Sequence, residues 1–359
     1  MLIVSVKSRD PSKMGADSEA RATSWINTNV AAACRQIDGT IRTLRSPPDG
    51  LVLSSMRGVD IPWVVRSDMQ YRGLVVINYA PPPGYVARPA CSVPTAVLQI
   101  LDWEFINATL WSTMQLLGYM RTRETLPPVP LVAEKDLFAH VIEAEQAGTR
   151  IGLPGGLPIP GKWDEVVRRW PDVDMRRRSD AKYAYIIDKV MAAMARDDLL
   201  YSNQRSKAEY LELVRILDEI PVLERVEVGI AYIERAKRAQ SENRGVSFLS
   251  YPSGGKRGSQ IVFFADPRSR IDRVLWIGNQ STTRHAELLE ETGYADLRTL
   301  GIATAAWPLS GGSHDFVFMR GDTGLTPDEV AEREEVFLRP KFPGQVISTL
   351  RALAVGDPP

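Results

Sequence analysis

Leu2, Ile3, Val4 and Val6 form a short, largely β-branched run ending at Lys7, and the segment 17–46 that follows carries Ile26, Val30, Ala33, Ile37, Ile41 and Leu44 at spacings of three and four. The first pattern is that of a buried strand; the second is one face of a long α-helix. A helix with a single apolar stripe has to lay it on another layer, so a strand leading directly into such a helix points to an α/β domain. Asp17 or Ser18 can cap the first turn. Arg42 and Arg45 suit the negative end of the helix dipole, and Pro47-Pro48 stops the helix.

After residue 50 the period falls to two. "LVLSSM", "IPWVVRS" and "YRGLVVINYA" are short, rich in β-branched or aromatic residues and separated by Gly, Pro and Asp, and they are expected as strands of one sheet. A proline-rich loop, 81–94, leads to a strand at 95–101 that runs through Asp102 into a helix. "LPPVP" and "IGLPGGLPIPGKW" form the best linker region and set a domain boundary near 150. Residues 163–240 read as helical, with Ile186, Ile187, Val190, Met191 and Met194 as one core stripe. From 245 strands return: a hairpin of "GVSFLSYP" and "GSQIVFFAD", then "RVLWIG", a short helix at "HAELLEE", "TLGIATAAW" and "HDFVFM". The expected fold is therefore α/β over 1–150, a mixed sheet with packed helices, followed over 151–359 by a helical segment and an α+β unit.

Several function classes recede on composition. The 44 basic and 44 acidic side chains cancel, so any nucleic-acid contact must be local rather than driven by a global field. No apolar stretch is long enough to span a bilayer and no secretory leader pattern opens the chain, which predicts no membrane partner and a cytoplasmic protein. Cys34 and Cys91 show no paired or zinc-ligand spacing, which argues against a disulfide framework.

Most motifs have ordinary explanations. "GLPIPGKW" satisfies GxxxxGK, yet Trp163 stands where a Ser or Thr would meet magnesium, and Pro158 and Pro160 delete backbone donors that would cradle phosphate. "SGGKRGS", 253–259, reads as a hairpin turn before it reads as an anion loop. Arg176, Arg177 and Arg178 could meet phosphate or simply be neutralised by Asp172, Asp174 and Asp180. His140, His285 and His314 are too far apart in sequence to form a recognisable ligand set.

The opening stretch "LIVSVKSRD" is different. With its polar loop and the helix "WINTNVAAACRQIDGTIRTL", it resembles the second half of the PD-(D/E)xK nuclease core over about the first third of the chain. In that family a strand carries acid-x-Lys, an upstream strand adds an Asp, the two carboxylates hold Mg²⁺, and the Lys helps activate or position water. The resemblance makes Lys7 the catalytic lysine and Gln36 the polar helix residue facing it, with Ser5 and Arg9 as substrate-binding residues. Ser5 stands where the acid belongs. The Asp-bearing strand would precede Met1, so either a longer gene product supplies it or the chain kept the fold and lost the chemistry. No metal ligand and no cofactor are expected for the chain as given, and Mg²⁺ in a longer form is left open.

This yields a nuclease-related protein of DNA restriction or defence type, incomplete as a catalyst, with DNA as partner. Lys7 is then expected near the C-terminal end of a central strand. Two other readings stand beside it. Lys7 can be an ordinary surface lysine next to a buried strand, or the chain can be a protein–protein interaction or scaffold module whose C-terminal unit carries anchors such as Trp307 and Tyr251.

Overall fold

The computed structural model describes residues 1–9, 18–54, 60–65, 67–194, 207–242, 246–253, 259–265, 269–293, 295–304, 314–322, 324 and 328–329. Contacts divide the chain into two units, Met1–Leu53 with Ile61–Ser179, and Ser54–Asp60 with Asp180–Pro359.

The first unit is built from β1 (Leu2–Ser8), α1 (Glu19–Arg45), β2 (Val52–Ser54), β3 (Asp60–Pro62), β4 (Arg72–Asn78), β5 (Thr95–Gln99), α2 (Ile100–Leu110), α3 (Thr113–Glu124), α4 (Glu134–Ala147) and α5 (Lys162–Arg169). Ser18 caps α1 by accepting the Arg21 N–H, and the Ser46 N–H closes the other end on the Arg42 carbonyl. The sheet order is β1-β4-β5, with both pairs parallel. The expected mixed sheet of this unit is thus corrected to an all-parallel one. "LVLSSM" and "IPWVVRS" do not join it; β2 and β3 pair with each other. The strand expected at 95–101 stops at Gln99, whose side chain accepts the Leu101 N–H and starts α2.

Two apolar layers cover the sheet. Ile26, Val30, Ala33, Ile37 and Ile41 of α1 pack on Val75, Ile77 and Val97 on one face, while Leu74, Val76 and Leu98 meet Phe105, Ile106, Phe138 and Trp163 on the other. β4 is the central strand and is fully enclosed, with Leu74 to Ile77 at 0% exposure. The strand carrying Lys7 is therefore not central: β1 pairs only with β4 among the described residues, and Val4 and Val6 are 42% and 57% exposed. Alternation explains this pattern. Ile3, Ser5 and Lys7 face α1, and Val4 and Val6 face the side that the later helices leave uncovered at this edge.

The loop between β4 and β5 is tied back to α1 at three points. The Tyr85 hydroxyl donates to Asn27 Oδ1 at 2.6 Å; the Ser92 N–H and hydroxyl both donate to Asp38 Oδ1, at 2.9 and 2.6 Å. Cys91 is disulfide-bonded to Cys34, with 5.0 Å between their Cα atoms. The cysteines expected to stay unpaired make one bond, because α1 and the loop meet across a separation that spacing does not reveal.

The second unit contains α6 (Tyr185–Met194), α7 (Lys207–Asp218), α8 (Val222–Glu242), β6 (Val246–Ser253), β7 (Ser259–Ala265), α9 (Arg270–Thr292), β8 (Arg298–Thr304) and β9 (His314–Arg320). Its sheet, β6-β7-β8-β9, is mixed: the outer pairs are antiparallel, and β7 and β8 run parallel with α9 as the crossover. "RVLWIG" lies inside α9 and is not a strand. A short apolar run has no periodicity of its own to separate the two states. Two buried polar groups in this unit have clear partners: Arg273 Nε donates to Asp315 Oδ2 at 2.7 Å, and His285 sits between the Thr299 hydroxyl and the Gly321 carbonyl, at 2.8 and 2.6 Å. Burial holds the His285 pKa below its usual value.

Candidate functional site

Ser5 and Lys7 are two residues apart on β1 and therefore share a face. That face meets α1 at Gln36, which sits next to buried Ile37 but is itself exposed. Lys7 Nζ donates to Gln36 Oε1 at 2.6 Å, and the Ser5 hydroxyl donates to the same oxygen at 3.1 Å. Lys7 pairs in register with Ile77, close to the C-terminal ends of β1 and β4, the end of a parallel sheet where ligands usually collect. Arg9 follows just beyond the strand. Its Nη1 donates to the Tyr79 hydroxyl at 3.2 Å and its guanidinium lies 5.5 Å from the centre of that ring, which in turn leans on Trp25 with centroids 5.0 Å apart.

All four sequence-derived residues thus come to one edge of the sheet. Gln36 gathers Ser5 and Lys7, and Arg9 rests on Tyr79. What this edge offers chemically is a cation, a hydroxyl and an aromatic-backed guanidinium, without a carboxylate among the contacts that Lys7 makes with described residues. Among the described residues no three His, Cys, Asp or Glu side chains come together in a way that could hold a metal ion.

Sequence reasoning passed over two polar clusters. In the first, Glu134 is fully buried and accepts from Arg123 Nε at 2.8 Å and from the Tyr119 hydroxyl at 2.7 Å. Asp102 lies near it, 8% exposed, and burial followed by the Glu134 charge pushes its pKa up to about 7.

The second cluster absorbs the GxxxxGK frame. No strand leads into that loop, which follows α4 and a short 3₁₀ turn, Pro154–Gly156. Lys162 is 6% exposed, and its Nζ donates to Glu143 Oε1 at 2.9 Å and to Glu165 Oε1 at 3.0 Å. Buried His140 accepts the Ile159 N–H on Nε2 at 3.2 Å, and its Nδ1 faces Glu143 Oε2 at 4.0 Å. Trp163 turns inward to stack edge-on against Phe105.

The arginine run follows its structural reading in part. Asp174 holds Arg176 at 2.7 Å and Arg177 at 3.1 Å, and Asp172 holds Arg178 at 3.0 Å. The tip of "SGGKRGS", the side chain of Tyr251 and all of Trp307 lie outside the described residues. No helix among the described residues is long and apolar enough to cross a membrane. Comparison with protein families, with curated proteins and with solved structures found no match.

Proposed function

We propose that the first unit is a nuclease-related, phosphate-binding domain that engages DNA through Lys7 and Arg9 without cutting it by its own described residues. The observation that supports this reading is the Lys7–Gln36 hydrogen bond of 2.6 Å, which joins the strand lysine to the helix glutamine in the arrangement the family resemblance implies. The edge position of β1 departs from the central strand that the resemblance implies for the lysine and counts against this reading. With Ser5 in the acid position, the edge has a cation for phosphate but, among the described residues, no carboxylate pair for Mg²⁺.

Fluorescence anisotropy with a short DNA duplex tests the binding. Lys7→Ala is expected to weaken it several-fold and to lower the salt dependence by about one counterion, as loss of one phosphate contact does. Plasmid DNA with magnesium should stay intact over the same time. Binding that is indifferent to Lys7→Ala, or cleavage that depends on Lys7, would sink the proposal.

A protein–protein role has one observation of its own, the exposed Val4 and Val6 on an edge strand. Concentration-dependent self-association lost in Val6→Lys would favour it.

A further inference from the structure

Between α4 and α5 lies a cleft of about 710 Å³ lined by His140, Glu143, Arg150, Lys162 and Arg169, within the size range of small-molecule sites. Its floor is polar and largely built in. Lys162 is fixed by two carboxylates, and because His140 Nε2 accepts the Ile159 N–H, the neutral ring must carry its proton on Nδ1. That N–H has no hydrogen-bond partner among the described residues, for Glu143 Oε2 at 4.0 Å is out of range. A donor and an acceptor at this spacing suit one hydroxyl group, which can accept from Nδ1–H and donate to Oε2 at ordinary distances.

The rim has a different character. Arg150 and Arg169 are exposed and have no carboxylate partner among the described residues, while Arg169 is steadied by stacking 4.4 Å over Trp170. Two guanidinium groups beside a neutralised lysine favour an oxyanion at the mouth, and Glu143 keeps that anion away from the floor. Pro158 and Pro160 leave the loop short of backbone donors, so recognition here falls to side chains.

We propose that this cleft binds a small hydroxylated phosphate ester of the sugar-phosphate class, its phosphate on Arg150 and Arg169 and a hydroxyl between His140 and Glu143. The site is independent of the β1 edge.

Titration calorimetry on the full chain, with ribose 5-phosphate, ribose and inorganic phosphate as probes, tests the assignment. Ribose 5-phosphate is expected to bind at least about tenfold more tightly than either fragment, the worth of one charge-assisted contact set. Replacing both arginines (Arg150→Ala with Arg169→Ala) should remove that preference, and both sites are exposed enough for the variant to keep its circular dichroism spectrum. His140→Gln keeps an acceptor for Ile159 but lacks the Nδ1–H, and should weaken ribose 5-phosphate while leaving inorganic phosphate unchanged. Absence of saturable heat with any probe up to about 10 mM, an inorganic phosphate affinity equal to that of the ester, or binding that survives the double arginine change would overturn the proposal. So would loss of binding in Lys7→Ala, which would place the ligand at the β1 edge.

Discussion

Asp102 occupies the third position of α2, where a carboxylate favours the helix dipole, yet its Oδ2 is buried with no hydrogen-bond partner among the described residues. Its pKa, raised from 3.8 to about 7, means that the folded state keeps a proton the unfolded chain has already released. Stability from this group is complete at low pH and is lost as pH climbs from about 4 through about 7, by a few kcal/mol in order of magnitude. Asp102→Asn, neutral throughout, should therefore melt higher than the parent at about pH 8 and no higher at about pH 4; paired thermal melts decide it. A variant whose melting falls as steeply with pH as the parent's would assign that slope to another group. The Lys7–Gln36 pairing was anticipated only through the family resemblance, which sets a polar helix residue opposite the strand lysine. The His140–Lys162 cluster was not legible, because its members approach only when α4 and α5 pack, and no local period encodes that packing.

The elements legible in the sequence were those with a long period to read. All six residues of the α1 stripe, Ile26, Val30, Ala33, Ile37, Ile41 and Leu44, are buried, with Ala22 and Cys34 buried beside them, because one face of a long helix repeats often enough to average out exceptions. The edge position of β1 and the parallel pairing of β4 and β5 depend on which strands become neighbours, information that no single strand carries. Close approach between elements is equally hidden. Gly229 of α8 lies against the Tyr183 backbone, where a Cβ would meet the carbonyl carbon at 2.8 Å. Gly229→Ala gains about 1 kcal/mol in helix propensity but must push α8 off its neighbour, so a net loss of about 1 to 3 kcal/mol is expected. Urea unfolding measures it, and a stabilised variant would show that the contact yields. Gly278, with open space around its α-carbon in α9, is the matched control that should gain from the same change.

At the scale of the whole molecule the Cys34–Cys91 bond belongs entirely to the first unit and spans 57 residues of sequence. A closure of that length stabilises by about 4 kcal/mol in the chain-entropy model. Reduction, or Cys34→Ser with Cys91→Ser, should lower the melting of the first unit and leave the second where it was; calorimetry with and without reductant reads both, and a shift confined to the second unit would contradict the assignment. The parallel ladder of the first unit has another outcome. Leu2 pairs with Arg72, 70 residues later. At about 5 to 20 residues per second, a ribosome needs roughly 4 to 14 seconds to deliver the β4 partner after β1. Until then the apolar stripe of α1 has no sheet to cover it, and this stretch of the nascent chain is an obvious client for a chaperone that holds hydrophobic helices.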